Sequence, residues 1–324
     1  MTPSSSSASS DRRQSGRVVR VLRERQLLSF FVLAYGITWL LWSPVLVLGL
    51  PVFSASTHAP TWYLMPAIIV GVTGSAFFMT AVTQGRPGMA RLLRRLVTWR
   101  VGVVWFAVAI LLIPVGEVVG AVALGAPDAL GALTPSGLVF YPAAYAAHFF
   151  FGPLFEESGW RGFALPRMQQ RFGPLKGTIL LGLLWSGWHF FLYAPTWFSG
   201  GAVAGVAGIL VFTVTTTAMT FIFTWLSNNT RASLLLCVLL HGSVDGTATY
   251  LQVLADRGVI SDAASGAATQ FGLLAVCLLV AVLLAVATRG RLSYPRYREE
   301  AESLDLPPTP REPVIELTDE PRRG

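Results

Sequence analysis

Six side chains in this sequence have the types and spacing for proton-transfer chemistry: Glu156, Glu157, Arg161, His189, His241 and Asp245. The first three lie in FFGPLFEESGWRGF, His189 in LLGLLWSGWHFFLY, and the last two in LLLCVLLHGSVDGTATYL. All three stretches are otherwise apolar. A charge within a bilayer costs about 2.5–3.5 kcal/mol on insertion scales, and chains that keep such groups use them for transport, proton relay or catalysis. Carboxylates beside imidazoles can take and return protons, which is what activating a water requires.

Spacing divides the labour. Glu157 and Arg161 are four apart, so on a helix they share a face and pair, with Glu preceding Arg in the favourable order. Glu156 is rotated by about 100° from Glu157. It can face a cavity unpaired, as suits a general base. His241 and Asp245 are also four apart and share a face. Each group has a plainer reading alone: glutamates solvated at a helix end, a hydrogen-bonded core histidine, a His–Asp pair that fixes packing. On three separate spans together, they point to one polar chamber. Water could be activated there in two ways. Glu156 and His189 could polarise it directly, or Glu156, His189 and His241 could hold a divalent metal, with Zn the expected ion.

The elements that must position these groups are membrane spans. Hydrophobic residues make up 53% of the 324, charged residues only 13%, and runs of 18 or more largely apolar residues recur. Each run is long enough to cross a bilayer as a helix, so the fold class is all-α, a polytopic bundle. The net charge of +7 does not indicate nucleic acid, because the arginines cluster at the ends of apolar runs, where they set topology and meet anionic headgroups. Cys237 and Cys277 sit inside apolar runs and read as small buried hydrophobes.

Residues 1–26 read as a disordered, basic N-terminal segment, 27–288 as the membrane domain and 289–324 as a disordered charged tail. Eight spans are expected, at about Leu27–Pro51, Trp62–Val82, Val101–Leu124, Leu138–Phe155, Gly177–Phe198, Ala202–Leu226, Ala232–Leu254 and Phe271–Thr288. Short interfacial helices are expected at Arg86–Arg100 and Gly162–Lys176, where arginines alternate with apolar residues. With both termini cytoplasmic, the loops at 83–100, 158–176, 227–231 and 289 onward carry nearly all the remaining Lys and Arg; the opposite loops carry only Arg257. That asymmetry predicts an integral membrane protein with both termini inside, and the Arg-rich, Lys-poor composition suits a bacterial cell membrane. Glu117 is a candidate for the chamber wall or the far interface, His148 for core packing, and His58 for an uneventful loop. Gly201-xxx-Gly205 with Gly208 reads as a helix-packing signal.

The ordered motifs, EExxxR (Glu156, Glu157, Arg161), Trp185-xxx-His189 and His241-xxx-Asp245, resemble those of the CPBP family. These are the CAAX-processing and bacteriocin-processing intramembrane proteases, also called the ABI or type II CAAX prenyl endopeptidase family. The resemblance covers about 138–254. It implies that Glu156 activates water with His189, that Glu157 and Arg161 support them, and that His241 and the residue four later stabilise the oxyanion. Both metal-dependent and metal-free mechanisms are proposed for the family. Two positions depart from its pattern. Trp185 replaces the usual phenylalanine, read as a wider aromatic wall. Asp245 stands where eukaryotic members have asparagine, so it must be protonated, paired with His241 or metal-bound. The expected partners are the bilayer and a membrane-associated peptide or protein substrate. The alternative is a non-catalytic membrane protein, either a bacteriocin-immunity factor or a proton-coupled transporter.

Overall fold

Lipid offers backbone groups no partner, so the apolar runs satisfy their own hydrogen bonds as helices. The computed structural model describes residues 16–52 and 62–303, and no strand occurs among them. Among these residues seven helices are long and apolar enough to cross a membrane, or up to eight when one bent pair is counted as a span. We number the main helices α1 Gln26–Val47, α2 Trp62–Leu96, α3 Val103–Ala123, α4 Tyr141–Phe149, α5 Pro153–Phe172, α6 Pro174–Phe198, α7 Ala202–Asn229, α8 Leu234–Asp256, α9 Asp262–Ala287 and α10 Tyr294–Ser303.

The centre of the bundle is α8. Of its most apolar window 78% is buried, against 22–50% for the other spans, so it meets protein where they meet lipid. It packs against α3, α4, α7 and the first turn of α5. Hydrophobicity does not hold helices together in lipid, so side-chain packing and interhelical hydrogen bonds must. Gln169 and Asn228 exchange amide hydrogen bonds of 3.1 and 2.8 Å between α5 and α7. Thr178 donates to Thr224 across α6 and α7. The rings of Phe198 and Trp197 lie against Gly205 and Gly208, in keeping with the packing signal there, whereas Gly201 only starts α7 at a positive φ.

Four expectations change. The fourth span is not continuous: α4 and α5 are separated at Phe150–Gly152, and the stretches Pro135–Phe149 and Pro153–Phe172 meet at 48°. Gly152 takes φ +66 and Pro153 cannot continue the preceding helix, which is why the chain breaks there. The glutamates therefore open a helix instead of closing one. Second, the arginine-rich stretch after Trp62–Val82 is a helical segment set off from the span, but it is not wholly at the surface. Gly85 (φ 62), two residues before Pro87, breaks the helix between the span and this stretch, and the change lies in Arg95, which turns inward to donate to the carbonyls of Arg161, Gly162 and Ala232. Third, the Gly162–Lys176 segment is partly interior. Arg167 is buried, bonded to Gln26 and stacked 3.6 Å over the Phe163 ring. In both segments the guanidinium finds enough acceptors or ring faces to leave the headgroups. Fourth, residues 16–24 and α10 are helical within segments expected to lack structure. His58 lies outside the described residues.

Candidate active site

The break at Gly152 places Glu156 in the first turn of α5, with Glu157 directly after it, near the helix end whose dipole favours negative charge. From Ser158 to Ala164 the helix widens to π pitch, a local irregularity often found at functional sites. Each glutamate then meets a donor four residues on. Trp160 Nε1 donates to Glu156 Oε2 at 3.1 Å, and Arg161 Nη1 to Glu157 Oε1 at 2.8 Å. The second of these pairs was expected. The first was not, and it corrects the reading of Glu156 as unpaired.

Glu157 and Arg161 are fully buried, so the pair depends on close partners. The Arg161 guanidinium is held between two rings, 4.0 Å from the centre of Trp185 and 3.7 Å from Phe223. Its Nε and Nη2 have no acceptor among the described residues, and the ring faces take that place. Glu157 Oε1 accepts a second bond, 2.8 Å from His241 Nδ1. Arg161, Glu157 and His241 thus form one line from α5 to α8.

His241 and Asp245 share a face as expected, but at a looser distance. Nε2 lies 3.6 Å from Asp245 Oδ2, beyond a hydrogen bond, so Asp245 acts on the imidazole through charge. The Asp245 side chain is 35% exposed while that of Glu157 is wholly enclosed. Asp245 therefore stands at the open end of the group. His189 Nδ1 is 2.9 Å from the Trp185 carbonyl, which can only accept, so that nitrogen carries a proton and the neutral ring has its lone pair at Nε2. The His189 ring stacks on Tyr193 and meets Trp188 and Phe212 edge-on.

Trp185 joins these parts. Its Nε1 donates to Glu156 Oε2 at 3.0 Å, its face receives Arg161, and its centre lies 5.9 Å from His189 and 5.3 Å from His241. The six residues singled out by sequence are brought into one neighbourhood. Trp185 is more than a wider wall, since it supplies a donor that a phenylalanine lacks. Two contributors were missed, Trp160 and Phe223. Trp160 had a signal, being four residues after Glu156 as Arg161 is after Glu157. Phe223 had none, because only the α7 packing brings it over Arg161.

Glu117 and His148 fall outside this neighbourhood's hydrogen bonds. Glu117 is buried on α3, where α9 approaches so closely that a Cβ on Gly272 would strike its carbonyl. His148 is buried and bonded to Thr249 at 2.7 Å, the packing role expected of it. A metal held by Glu156, His189 and His241 fits this arrangement poorly. Among the described residues no three His, Cys, Asp or Glu side chains are grouped as a metal site.

Comparison with known proteins points the same way as the motifs. Residues 136–247 match the family model described as Type II CAAX prenyl endopeptidase Rce1-like, so this core segment resembles that family in sequence. Over 112 residues the chain is 32% identical to the CAAX prenyl protease 2 of Methanococcus maripaludis, a stretch covering 33% of this chain and 40% of that relative. The match thus spans well under half the length of that curated protein.

Proposed function

We propose that this protein is an intramembrane endopeptidase of the CAAX-processing type, hydrolysing a peptide bond of a membrane-associated peptide or protein. The convergence of Glu156, Arg161, His189 and His241 on the Trp185 ring carries this reading. Glu156 takes a proton from water, and the resulting hydroxide bonds to the scissile carbonyl carbon. His189, with Nδ1–H fixed on a carbonyl, accepts from the water at Nε2 and orients it. In its imidazolium form His241 donates from Nδ1 to Glu157 and from Nε2 to the developing oxyanion. Arg161 and Glu157 hold that ring in place. Collapse of the tetrahedral adduct breaks the C–N bond, and Glu156 returns its proton to the leaving amine. No covalent enzyme intermediate is needed.

The route runs without a metal, in line with the poor fit of the three-residue ligand set. The arginine distribution supports a membrane orientation with both termini and the site on the cytoplasmic side, and the Arg-rich, Lys-poor composition favours a bacterial membrane. The test is cleavage of a farnesylated CAAX peptide, and of its unprenylated counterpart, by purified protein in liposomes. Glu156→Ala and His189→Ala should each lower the rate by about 10²–10⁴, the usual worth of a positioned acid–base group. Undiminished cleavage in both variants would overturn the roles given to Glu156 and His189, and none by the parent would favour a non-catalytic membrane role.

A further inference from the structure

Glu156 has two carboxylate oxygens, and their surroundings differ. Oε2 accepts from both Trp160 Nε1 (3.1 Å) and Trp185 Nε1 (3.0 Å), and both indoles are at most 1% exposed. Oε1 lies over Gly152, where an ideal Cβ would come within 3.3 Å of it. Gly152 has φ +66, which L side chains rarely adopt, so the position beneath Oε1 carries no side chain. One oxygen is held and the other is left beside open backbone.

We propose that Trp160 and Trp185 are positioning residues that commit Oε2 of Glu156 to their indole N–H groups, so that Oε1 is the oxygen that takes the proton of the attacking water. This assignment rests on the hydrolytic reading above. A carboxylate in a helix turn rotates readily about its terminal torsion, which is broad and roughly two-fold. Either oxygen could then present itself to water, at varied angles. Two N–H donors arriving from different helices, one on α5 and one on α6, fix both the torsion and the choice. The water proton passes to Oε1 while its oxygen bonds to the carbonyl carbon. The same Oε1–H later protonates the amine as the C–N bond breaks. Each oxygen keeps one task through the cycle.

The test separates the clamp from the chemistry. Protein labelled with 15N-tryptophan is studied in detergent micelles, with Trp160→Phe and Trp185→Phe assigning the two indole N–H resonances. Glu156→Ala should move those two resonances and leave the other indoles nearly unshifted. Cleavage of the farnesylated CAAX peptide should show kcat about tenfold lower in each Phe variant, the worth of one charge-assisted hydrogen bond, with KM within about twofold. The phenyl ring keeps most of the packing. If a variant still melts several degrees early, β-(3-benzothienyl)alanine at the same position keeps the bicycle and lacks only the N–H. Indole resonances indifferent to Glu156→Ala would overturn the clamp, whatever the protein cleaves. A visible clamp with kcat unchanged in both variants would overturn the assignment of Oε1. A visible clamp in a parent that cleaves nothing would instead overturn the hydrolytic reading, and the assignment with it.

Discussion

Replacing Arg161 with Met removes the cation from a place closed to bulk solvent. Glu157 and Arg161 are both fully enclosed, and the 2.8 Å bond between them sets a permanent positive charge against the glutamate. Breaking such a pair typically costs about 3–5 kcal/mol, mainly as the penalty for the charge left behind. Cation–π contact with Trp185 and Phe223 adds about 0.5–2 kcal/mol per ring. The apolar contact area of Met recovers part of the stacking, so we expect a net loss of about 3–5 kcal/mol. The double variant Glu157→Gln with Arg161→Met removes both charges of the pair, and the amide oxygen that replaces the carboxylate can still accept from His241 Nδ1. It should therefore be more stable than Arg161→Met alone, despite carrying one more substitution. The assay is thermal unfolding of parent, both single variants and the double variant in one detergent, closed as a double-mutant cycle. Arg161→Met should lower Tm by roughly 5–15 °C and the second change should restore about half of that. A double variant less stable than Arg161→Met would show that the enclosed carboxylate is not what the guanidinium sustains.

Two further outcomes follow from the geometry. Because Glu156, His189 and His241 are not grouped as a metal site, treating the purified protein with 1,10-phenanthroline should leave peptide cleavage unchanged, and elemental analysis should find far less than one zinc per chain; stoichiometric zinc with chelator-sensitive cleavage would refute this. Asp128, in the loop before α4, accepts from the Ser261 backbone N–H at 2.8 Å, and hydrogen bonding to Ser261 holds its carboxyl below the ordinary 3.8. A lowered folded value means stability that is complete above 3.8 and lost as pH falls through the folded value. The Tm advantage of the parent over Asp128→Ala should therefore be present at neutral pH and vanish in strong acid, and an advantage that persists there would contradict the bond.

The spans were legible because their signal is long and apolar, and each predicted run overlaps an observed helix. The break between α4 and α5 was harder to read. FFFGP contains both punctuating residues, yet the apolar run continues across them and hydropathy outweighs a local turn signal. The inward turns of Arg95 and Arg167 were not legible either. An arginine beside leucines looks the same in sequence whether it faces headgroups or caps carbonyls from another helix, since its acceptors lie 66 or more residues away for Arg95 and, in Gln26, 141 away for Arg167. Among site residues, spacing revealed the Glu157–Arg161 pair because both ends are on one helix. The link from Glu157 to His241 crosses 84 positions and needed the bundle. In sequence Trp185 reads only as an aromatic, because its indole N–H has meaning only once Glu156 is beside it.

The inward Arg95 has a bearing on how genetic variation in this chain should be read. Its guanidinium fastens the carbonyls of Arg161 and Gly162 and that of Ala232, so the π stretch of α5 and the approach to the central span hang from one peg. Position 95 touches none of the groups that would handle a proton. A missense change there would nonetheless imitate an active-site lesion in any screen scored by turnover, and it would take a measurement of folding to tell the two apart.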